Sequence, residues 1–303
     1  MTECERIINL GGGIHESFLQ PETICDFYVD EKRKKIWAIE LDLLSHFIFV
    51  CNKYNLKYYL IGGSLLGAVR HNGIIPWDDD IDVGMPRKDY DRFVKLNKEF
   101  NYPYFLQTPH TDNGYAYSFA RLRNSETTCI IPMFQYQGYN HGMYIDIFPY
   151  DNWVEEGGEA LFQKIHQLAY DNSTYMRISN PHLDEKNLER VKKWPGRNYL
   201  EVYDEIQSLA SKYMYIETDK VAKVVLASNL SKAVHNKCDY NETLLVDFSF
   251  LKVMIPKGYN NILNTYFGSD YMQFPPTDKR NGGHEEAIFD PDKSYKQYLK
   301  GIL

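Results

Sequence analysis

The chain has 303 residues, 44% of them hydrophobic, which is enough apolar material for a sizeable buried core. Acidic residues outnumber basic ones by 41 to 34, and a net charge of −7 argues against a general nucleic-acid-binding surface. The five cysteines are scattered and form no Cys-x-x-Cys pair, which argues against a disulfide framework and favours a reducing, cytoplasmic setting.

Residues 1–33 are interpreted as an N-terminal extension. They lack the basic stretch and apolar run of a secretory signal, and no apolar run in the chain approaches the roughly 20 residues that span a bilayer. We therefore expect a cytoplasmic protein, with a peripheral contact at the inner face of the membrane left open. The run Gly11–Gly13 invites comparison with dinucleotide-binding loops, but Glu16 stands where the third glycine of that motif belongs.

A catalytic core is expected over residues 34–153, where helical and strand-like patterns alternate. Apolar residues recur at spacings of three and four between Lys34 and Asn55, which predicts an amphipathic helix. Short aromatic or alternating runs then predict three strands, separated by two more helices. These strands are predicted at 57–61, 81–85 and 143–148, the last ended by Pro149, and the helices at 65–70, capped by Ser64, and at 88–100.

Residues 154–303 have a different character and are interpreted as a mostly helical C-terminal subdomain that completes the substrate site. Long polar stretches with helical periodicity cover residues 159–175 and 199–212, and a mixed tail follows from Leu244. The fold class predicted for the whole chain is α+β, with a mixed sheet core flanked by helices.

The most informative segment contains four aspartates within five positions, Asp78, Asp79, Asp80 and Asp82. Carboxylates packed so closely raise each other's pKa unless a cation lies among them. Asp80 and Asp82 are two positions apart on a predicted strand and so leave the same face, and Asp146 lies between two isoleucines on another strand. Three such carboxylates can hold Mg²⁺ or Mn²⁺ and leave coordination positions free for phosphate oxygens.

The turn Gly62-Gly63-Ser64 supplies the second half of such a site. Glycine lets the backbone approach a phosphate, and the free amides at the start of the following helix point a partial positive charge toward it. Arg70 could pair with a phosphate oxygen, and a structural ion pair with one of the aspartates explains it equally. Phosphoryl transfer needs mainly positioning and charge neutralisation, which the turn and the carboxylates both offer.

The segment from Tyr59 to Val83, YLIGGSLLGAVRHNGIIPWDDDIDV, resembles the signature of the LicD family. The insertion His71–Trp77 lengthens the interval between turn and aspartates beyond that of the broader superfamily and is typical of LicD. Three further segments are similar to that family, and the resemblance covers residues 34–284. They are Gly142–Pro149 (GMYIDIFP), Ile255–Tyr259 (IPKGY) and Tyr266–Pro276 (YFGSDYMQFPP).

The resemblance implies a nucleotidyltransferase-like fold related to the DNA polymerase beta superfamily. It also implies transfer of phosphocholine from CDP-choline to sugars of teichoic acid or lipopolysaccharide; the fukutin-type enzymes, which use CDP-ribitol, are relatives. The expected partners are therefore a CDP-alcohol donor and a glycan or lipid-linked sugar acceptor. The resemblance implies a phosphate-binding turn at Gly63 and Ser64, metal ligands at Asp80, Asp82 and Asp146, and a supporting role for Asp78. We further expect Asp146 to take the proton of the acceptor hydroxyl.

Two arginines and a histidine have open interpretations. Arg121 and Arg123 share a face of a probable strand, so they could reach an anionic substrate or pair at the surface with Glu126. His284 belongs either to the site or simply to the end of the tail.

Aromatic residues are candidates for ligand contact. Trp77, in the insertion, is the first candidate, and Trp77, Tyr115 and Tyr139 are guesses for a cage around a quaternary ammonium group. Two other functions remain open: nucleotidyl transfer with release of pyrophosphate, and non-catalytic binding of a glycan or nucleotide.

Overall fold

A computed structural model describes residues 16–226, 229–284 and 286–300, so the run Gly11–Gly13 lies outside the described residues. The described residues form an α+β fold with a mixed sheet and flanking helices, which confirms the coarse prediction. The helices are α1 (Glu31–Lys53), α2 (Gly62–His71), α3 (Arg87–Phe93), α4 (Gly158–Tyr175), α5 (Glu185–Lys192), α6 (Tyr199–Ala210), α7 (Leu230–Ala233), α8 (Tyr259–Phe267) and α9 (Tyr295–Leu299).

Thirteen strands are present in the described ranges, seven of them in the main sheet. The strands are β1 (Glu22–Ile24), β2 (Phe27–Val29), β3 (Tyr59–Leu60), β4 (Asp82–Pro86), β5 (Tyr104–Gln107), β6 (Ala120–Asn124), β7 (Thr128–Ile130), β8 (Met143–Trp153), β9 (Lys220–Ala222), β10 (Val234–Asn236), β11 (Thr243–Phe248), β12 (Leu251–Pro256) and β13 (Ile288–Asp290). The main sheet has the order β10-β9-β8-β4-β3, and β6 joins β5 to β8.

Helix α1 contributes many of the buried residues of the core. Asp30 caps it by accepting a hydrogen bond from the Arg33 amide at 2.7 Å, which satisfies one of the free N–H groups of the first turn. Its apolar residues belong to one large buried cluster that also takes in the strands β4, β8 and β12. This helix confirms the periodicity that predicts it.

Strand β8 is the longest of the sheet and continues past Pro149, so the prediction that this proline ends the strand is wrong. The Asp146 amide donates to the Ile81 carbonyl on the β4 side at 2.9 Å. Since successive N–H groups alternate in direction along a strand, the nitrogen of Pro149 points away from β4. The pairing of β6 with β8 ends at Ile147, so the missing N–H removes no bond to that strand.

The predicted helix over residues 88–100 is also divided in the structure. Helix α3 ends at Phe93, and a short 3₁₀ helix follows at Asn97–Glu99. The rings of Phe93 and Phe100 lie 5.8 Å apart in the core. A continuous helix would separate residues seven apart by roughly 10 Å along its axis, so the break lets both rings pack together.

The C-terminal half is not established as mostly helical. Long helices occur only up to Ala210, and five strands, β9 to β13, follow. Strand β9 pairs with the end of β8, and β13 pairs with β7 of the core. The subdomain boundary at residue 153 stays a prediction. Among the described residues, no helix combines the length and apolarity needed to cross a membrane.

Candidate functional site

Three neighbouring strands place charged side chains in one row. Asp82 of β4 is the register partner of Asp146 of β8, and Asp146 is the partner of Arg121 of β6. Register partners leave a sheet on the same face, so the two carboxylates predicted on separate strands lie side by side. The guanidinium of Arg121 completes the row next to Asp146.

Asp146 is held by Arg121 through two hydrogen bonds. Nε donates to Oδ1 at 2.6 Å and Nη2 donates to Oδ2 at 3.4 Å, and both side chains are buried. Arg123 is buried too and donates to Gln107 and to the Gly142 carbonyl. The alternative that these arginines pair with Glu126 at the surface is therefore wrong.

Asp80 lies in the loop that precedes β4, so the prediction that it shares a strand with Asp82 is wrong. In the loop, one carboxylate oxygen from each of Asp78, Asp79 and Asp80 lies within 4.8 Å of the others. Burial and then the charge of Asp78 raise the pKa of Asp80 to about 8, and Asp146 adds to the rise. Burial, followed by the charges of Asp80 and Asp146, also raises the pKa of Asp82 well above its usual value. Asp78, Asp80 and Asp82 are partly exposed to solvent, whereas Asp79 and Asp146 are buried.

Asp79 ties the acidic loop to the C-terminal segment. Its carboxylate accepts from the amides of Gly283 and His284 at 3.1 and 3.3 Å, and from Nδ1 of His284 at 3.1 Å. Burial alone would raise the pKa of Asp79, but the hydrogen bond and charge of His284 hold it below its usual value. The same hydrogen bond raises the pKa of His284. His284 thus belongs to the site's surroundings, and three hydrogen bonds hold Asp79 to the C-terminal segment.

The glycine turn approaches the acidic loop closely. Gly62 has φ +54°, a left-handed conformation that favours glycine, and a Cβ on Gly63 would lie 2.8 Å from Oδ2 of Asp78. Helix α2 begins at Gly62, and its N-cap residue makes no capping hydrogen bond through a side chain. The hydroxyl of Ser64 instead accepts from the Asp82 amide at 2.8 Å. The prediction that Ser64 caps the helix is wrong. The helix already starts at Gly62, and the Ser64 hydroxyl binds the backbone of β4.

Among the described residues, Arg70 forms no ion pair with an aspartate, so the interpretation of Arg70 as a structural partner of the cluster is wrong. Its Nη1 donates to the carbonyls of Tyr271 and Gln273 at 2.8 and 2.9 Å. With Trp77, Gly63 and Asp78, it lines an open cavity of about 640 Å³. Arg70 and Trp77 therefore lie next to the acidic loop. Among the described residues, neither forms a hydrogen bond with its carboxylates.

The three aromatic residues considered for a cage do not come together. The guanidinium carbon of Arg280 lies 5.0 Å from the ring centroid of Trp77, and that of Arg70 lies 5.9 Å away, so the protein's own cations already flank this ring. Tyr115 and Tyr139 are buried in a separate apolar cluster. The guessed cage is thus not formed.

Two charged residues near the site escape the sequence argument. The charge of Lys223 opposes the rise in the pKa of Asp82. Lys223 stands in the apolar run 221–226 (VAKVVL), and nothing in that local context relates it to the aspartates. Glu40 is buried on α1, and burial, then the charges of Asp80 and its neighbours, raise its pKa well above the usual value. The sequence does contain an indication that Glu40 is buried, because a glutamate three positions after Trp37 stands on the apolar face of the helix.

The chain is similar in sequence to known proteins. Residues 55–176 match the family model described as LicD/FKTN/FKRP, nucleotidyltransferase domain. The chain is 26% identical to the lipopolysaccharide cholinephosphotransferase LicD of Haemophilus influenzae over 256 residues, covering 82% of this chain and 94% of that protein. A stretch of 34 residues is 59% identical to the human ribitol 5-phosphate transferase FKRP, covering 11% of this chain and 7% of that protein.

Proposed function

Because the chain belongs to the LicD family and is related to the fukutin-type enzymes, we propose that it transfers a phospho-alcohol group to a hydroxyl of a glycan. The donor in this proposal is a CDP-alcohol, and CMP is released. CDP-choline is the first candidate, since the relative that matches over most of its length is named a cholinephosphotransferase. The acceptor is a cell-surface glycan or its lipid-linked precursor.

The adjacency of Asp82 and Asp146 on parallel strands carries this proposal. Two carboxylates side by side, with Asp80 coupled electrostatically to both, form an oxygen-rich set that suits Mg²⁺ or Mn²⁺. Burial and mutual repulsion raise the pKa of Asp78 to about 6 and that of Asp80 to about 8, which is the expected behaviour of ligands without their cation. When bound, a divalent cation would neutralise charge on the diphosphate of the donor.

The residues of the chain divide the reaction among them. The acceptor oxygen attacks the phosphorus that bears the alcohol; the new P–O bond forms as the bond to CMP breaks, and CMP leaves with the electron pair. Asp146 receives the hydroxyl proton. Arg121 holds the Asp146 carboxylate in a fixed orientation through two hydrogen bonds, which suits a group that must meet the acceptor hydroxyl.

Positioning is the work of the turn and the surrounding cations. The amides at the start of α2, next to Gly63, face the acidic loop and can donate to phosphate oxygens. Ser64 holds the β4 backbone at Asp82, so its role in the proposal is to keep that carboxylate in place. Arg70 and Trp77 contact substrate from the cavity that they share with Gly63 and Asp78.

A panel of CDP-alcohols tests the proposal. The purified chain is incubated with CDP-choline, CDP-ethanolamine or CDP-ribitol and Mg²⁺, and CMP release is measured by chromatography. We expect CMP from at least one donor, at a rate reduced by roughly 100-fold or more in Asp82→Asn, in line with the loss of one charge-stabilising group in an active site. A matched control is Asp219→Asn, since Asp219 is exposed and distant in the chain from the cluster. Full activity of Asp82→Asn, or no CMP from any donor with and without a glycan acceptor, contradicts the proposal.

Nucleotidyl transfer is the second candidate, favoured by the nucleotidyltransferase description of the matching domain. In that reaction the nucleotide is attached to the acceptor and pyrophosphate leaves. The mass of the acceptor product separates the two functions, because one adds a phospho-alcohol and the other adds a nucleotide.

A further inference from the structure

A cavity of about 310 Å³ lies beside the row of charged residues. We call it the aromatic cavity, and define it by Tyr117, Ser118 and Phe119, which precede β6, and by His166, Ala169 and Tyr170 of α4. Its walls are mostly aromatic or apolar, while Tyr170 is exposed and forms part of the rim. None of these residues takes part in the site described above.

Arg121 lies between the wall of the aromatic cavity and the site. The guanidinium carbon of Arg121 lies 4.9 Å from the ring centroid of Tyr117 and 5.5 Å from that of Phe119. The same guanidinium binds Asp146. Arg121 therefore places a positive charge between two residues of the cavity and the Asp146 carboxylate.

A second cation lies close to the cavity wall. The ring centroids of Phe119 and Phe148 are 4.5 Å apart, and Phe148 leaves the same face of β8 as Asp146, two positions earlier. Nζ of Lys223 lies 4.3 Å from the Phe148 ring centroid. Lys223 thus packs on Phe148, the neighbour of Phe119 in the cavity wall, and its charge acts on Asp82.

Two residues that line the aromatic cavity each carry a polar atom without a hydrogen-bond partner among the described residues. The atoms are Oγ of Ser118 and Nε2 of His166, both buried from solvent. An unpaired buried polar group costs about 1–3 kcal/mol, so such groups are expected to meet a ligand or an ordered water. Burial lowers the pKa of His166, which leaves its imidazole neutral and able to donate or accept.

The charges around the cavity select the kind of ligand. Arg121 lies over Tyr117, and the guanidinium carbon of Arg190 lies 3.6 Å from the Tyr170 ring centroid. Cations that already occupy these ring faces disfavour a quaternary ammonium group in the same place. They favour a neutral planar ring, stacked on aromatic walls, with an anionic group attached.

We propose that the aromatic cavity binds the nucleobase of the nucleotide donor, with Ser118 and His166 contacting the polar edge of the base. This inference rests on the proposed function for the presence of a nucleotide donor and for the identity of its base as cytosine. The sugar and phosphates then run past Lys223 and Arg121 to the carboxylates. The alcohol end of the donor is placed outside this cavity.

Binding of cytidine and CMP without metal tests the cavity separately from turnover. Ligand-observed NMR with EDTA present measures the Kd of each ligand for the wild-type chain, for Ala169→Phe and for Ser118→Ala. Ala169→Phe fills the cavity and should weaken both ligands by at least about tenfold, whereas Ser118→Ala should weaken them about five- to tenfold through one lost hydrogen bond. Ala160→Phe is the matched control, since Ala160 lies exposed on the same helix and should leave both Kd values unchanged. Circular dichroism shows whether each variant is folded.

The outcomes separate the two proposals. Failure of the wild-type chain to bind cytidine or CMP, or equal Kd values for wild type, Ala169→Phe and Ser118→Ala, overturns the cavity assignment even if CDP-alcohols are consumed. Weakened binding in both cavity variants, with no CMP from any CDP-alcohol, keeps the nucleobase site and overturns the proposed transfer reaction.

Discussion

Asp80→Asn should stabilise the metal-free protein while it impairs the reaction. Asp80 lies among like charges, and burial with the charge of Asp78 raises its pKa from 3.8 to about 8. Asparagine has nearly the same shape and carries no charge, so the substitution removes the repulsion without leaving a cavity. A carboxylate that destabilises the fold at neutral pH indicates a position retained for binding a cation rather than for folding.

The size of the effect follows from proton linkage. At pH 7.5 the span between the ordinary pKa of 3.8 and the working pH corresponds to about 5 kcal/mol, at about 1.4 kcal/mol per unit. Solvent reaches part of Asp80 and screens its interactions, so we expect a stabilisation of roughly 2–5 kcal/mol in Asp80→Asn. That is an increase in Tm of at least about 4 °C for a chain of this size.

The gain should depend on pH in a defined direction. Below the unfolded pKa of 3.8, both states of the wild type hold the proton and Asp80 has no effect on stability. As the pH rises toward about 8, the unfolded state releases the proton while the folded state retains it, so the wild type loses stability. The advantage of Asp80→Asn should therefore be small at pH 5 and largest near pH 8.

Urea unfolding in EDTA at pH 5, 6.5 and 8 measures this difference, with Asp219→Asn as the control at an exposed position. Adding Mg²⁺ should stabilise the wild type more than Asp80→Asn, because only the wild type keeps the full set of carboxylates. Equal or lower stability of Asp80→Asn at pH 8 would refute the view that Asp80 is a strained, cation-seeking carboxylate.

Two further substitutions test the framework of the site. Arg121→Met should destabilise the fold by roughly 3–5 kcal/mol, because it leaves Asp146 buried without its partner. Urea unfolding should show that the double variant with Asp146→Leu recovers stability. Unchanged stability of Arg121→Met would show that the pair is not formed. A Cβ at Gly282 would lie 2.3 Å from Oδ2 of Asp79, so Gly282→Ala should cost about 1–3 kcal/mol by breaking the hydrogen bonds of that carboxylate. Gly138→Ala is the control, because the added Cβ meets nothing within 4 Å, and it should leave the Tm nearly unchanged in thermal unfolding. Equal Tm values for the two glycine variants would contradict the steric argument.

Local patterns in the sequence predict the elements that position the site. The alternation that starts at Asp82, the short helix after Leu60 and the alternation around Asp146 are all short-range features, and each leads to the correct element. The spacing of Asp80 and Asp82 does not, because Asp80 lies in the loop before the strand. The meeting of Asp82 and Asp146 depends on the parallel register between β4 and β8, which no local pattern contains. From the sequence, only the resemblance to a family predicts that Asp146 belongs to the same site as Asp80 and Asp82.

Long-range contacts account for most of what the sequence does not reveal. His284 and Asp79 are 205 positions apart, so their hydrogen bond has no local signature. The pairing of Arg121 with Asp146 depends on the antiparallel register of β6 and β8. The short strands β9 and β13 gain their stability from neighbours in the core rather than from their own residues, since a strand of three residues has little preference of its own.

Diffraction from crystals grown with Mn²⁺, recorded with its anomalous signal, tests the central claim most directly. The account predicts an anomalous peak in contact with Asp82 and Asp146, shared with Asp80, and its loss in Asp82→Asn crystals. A peak confined to Asp78 and Asp79, or no peak near these carboxylates at saturating Mn²⁺, would contradict it.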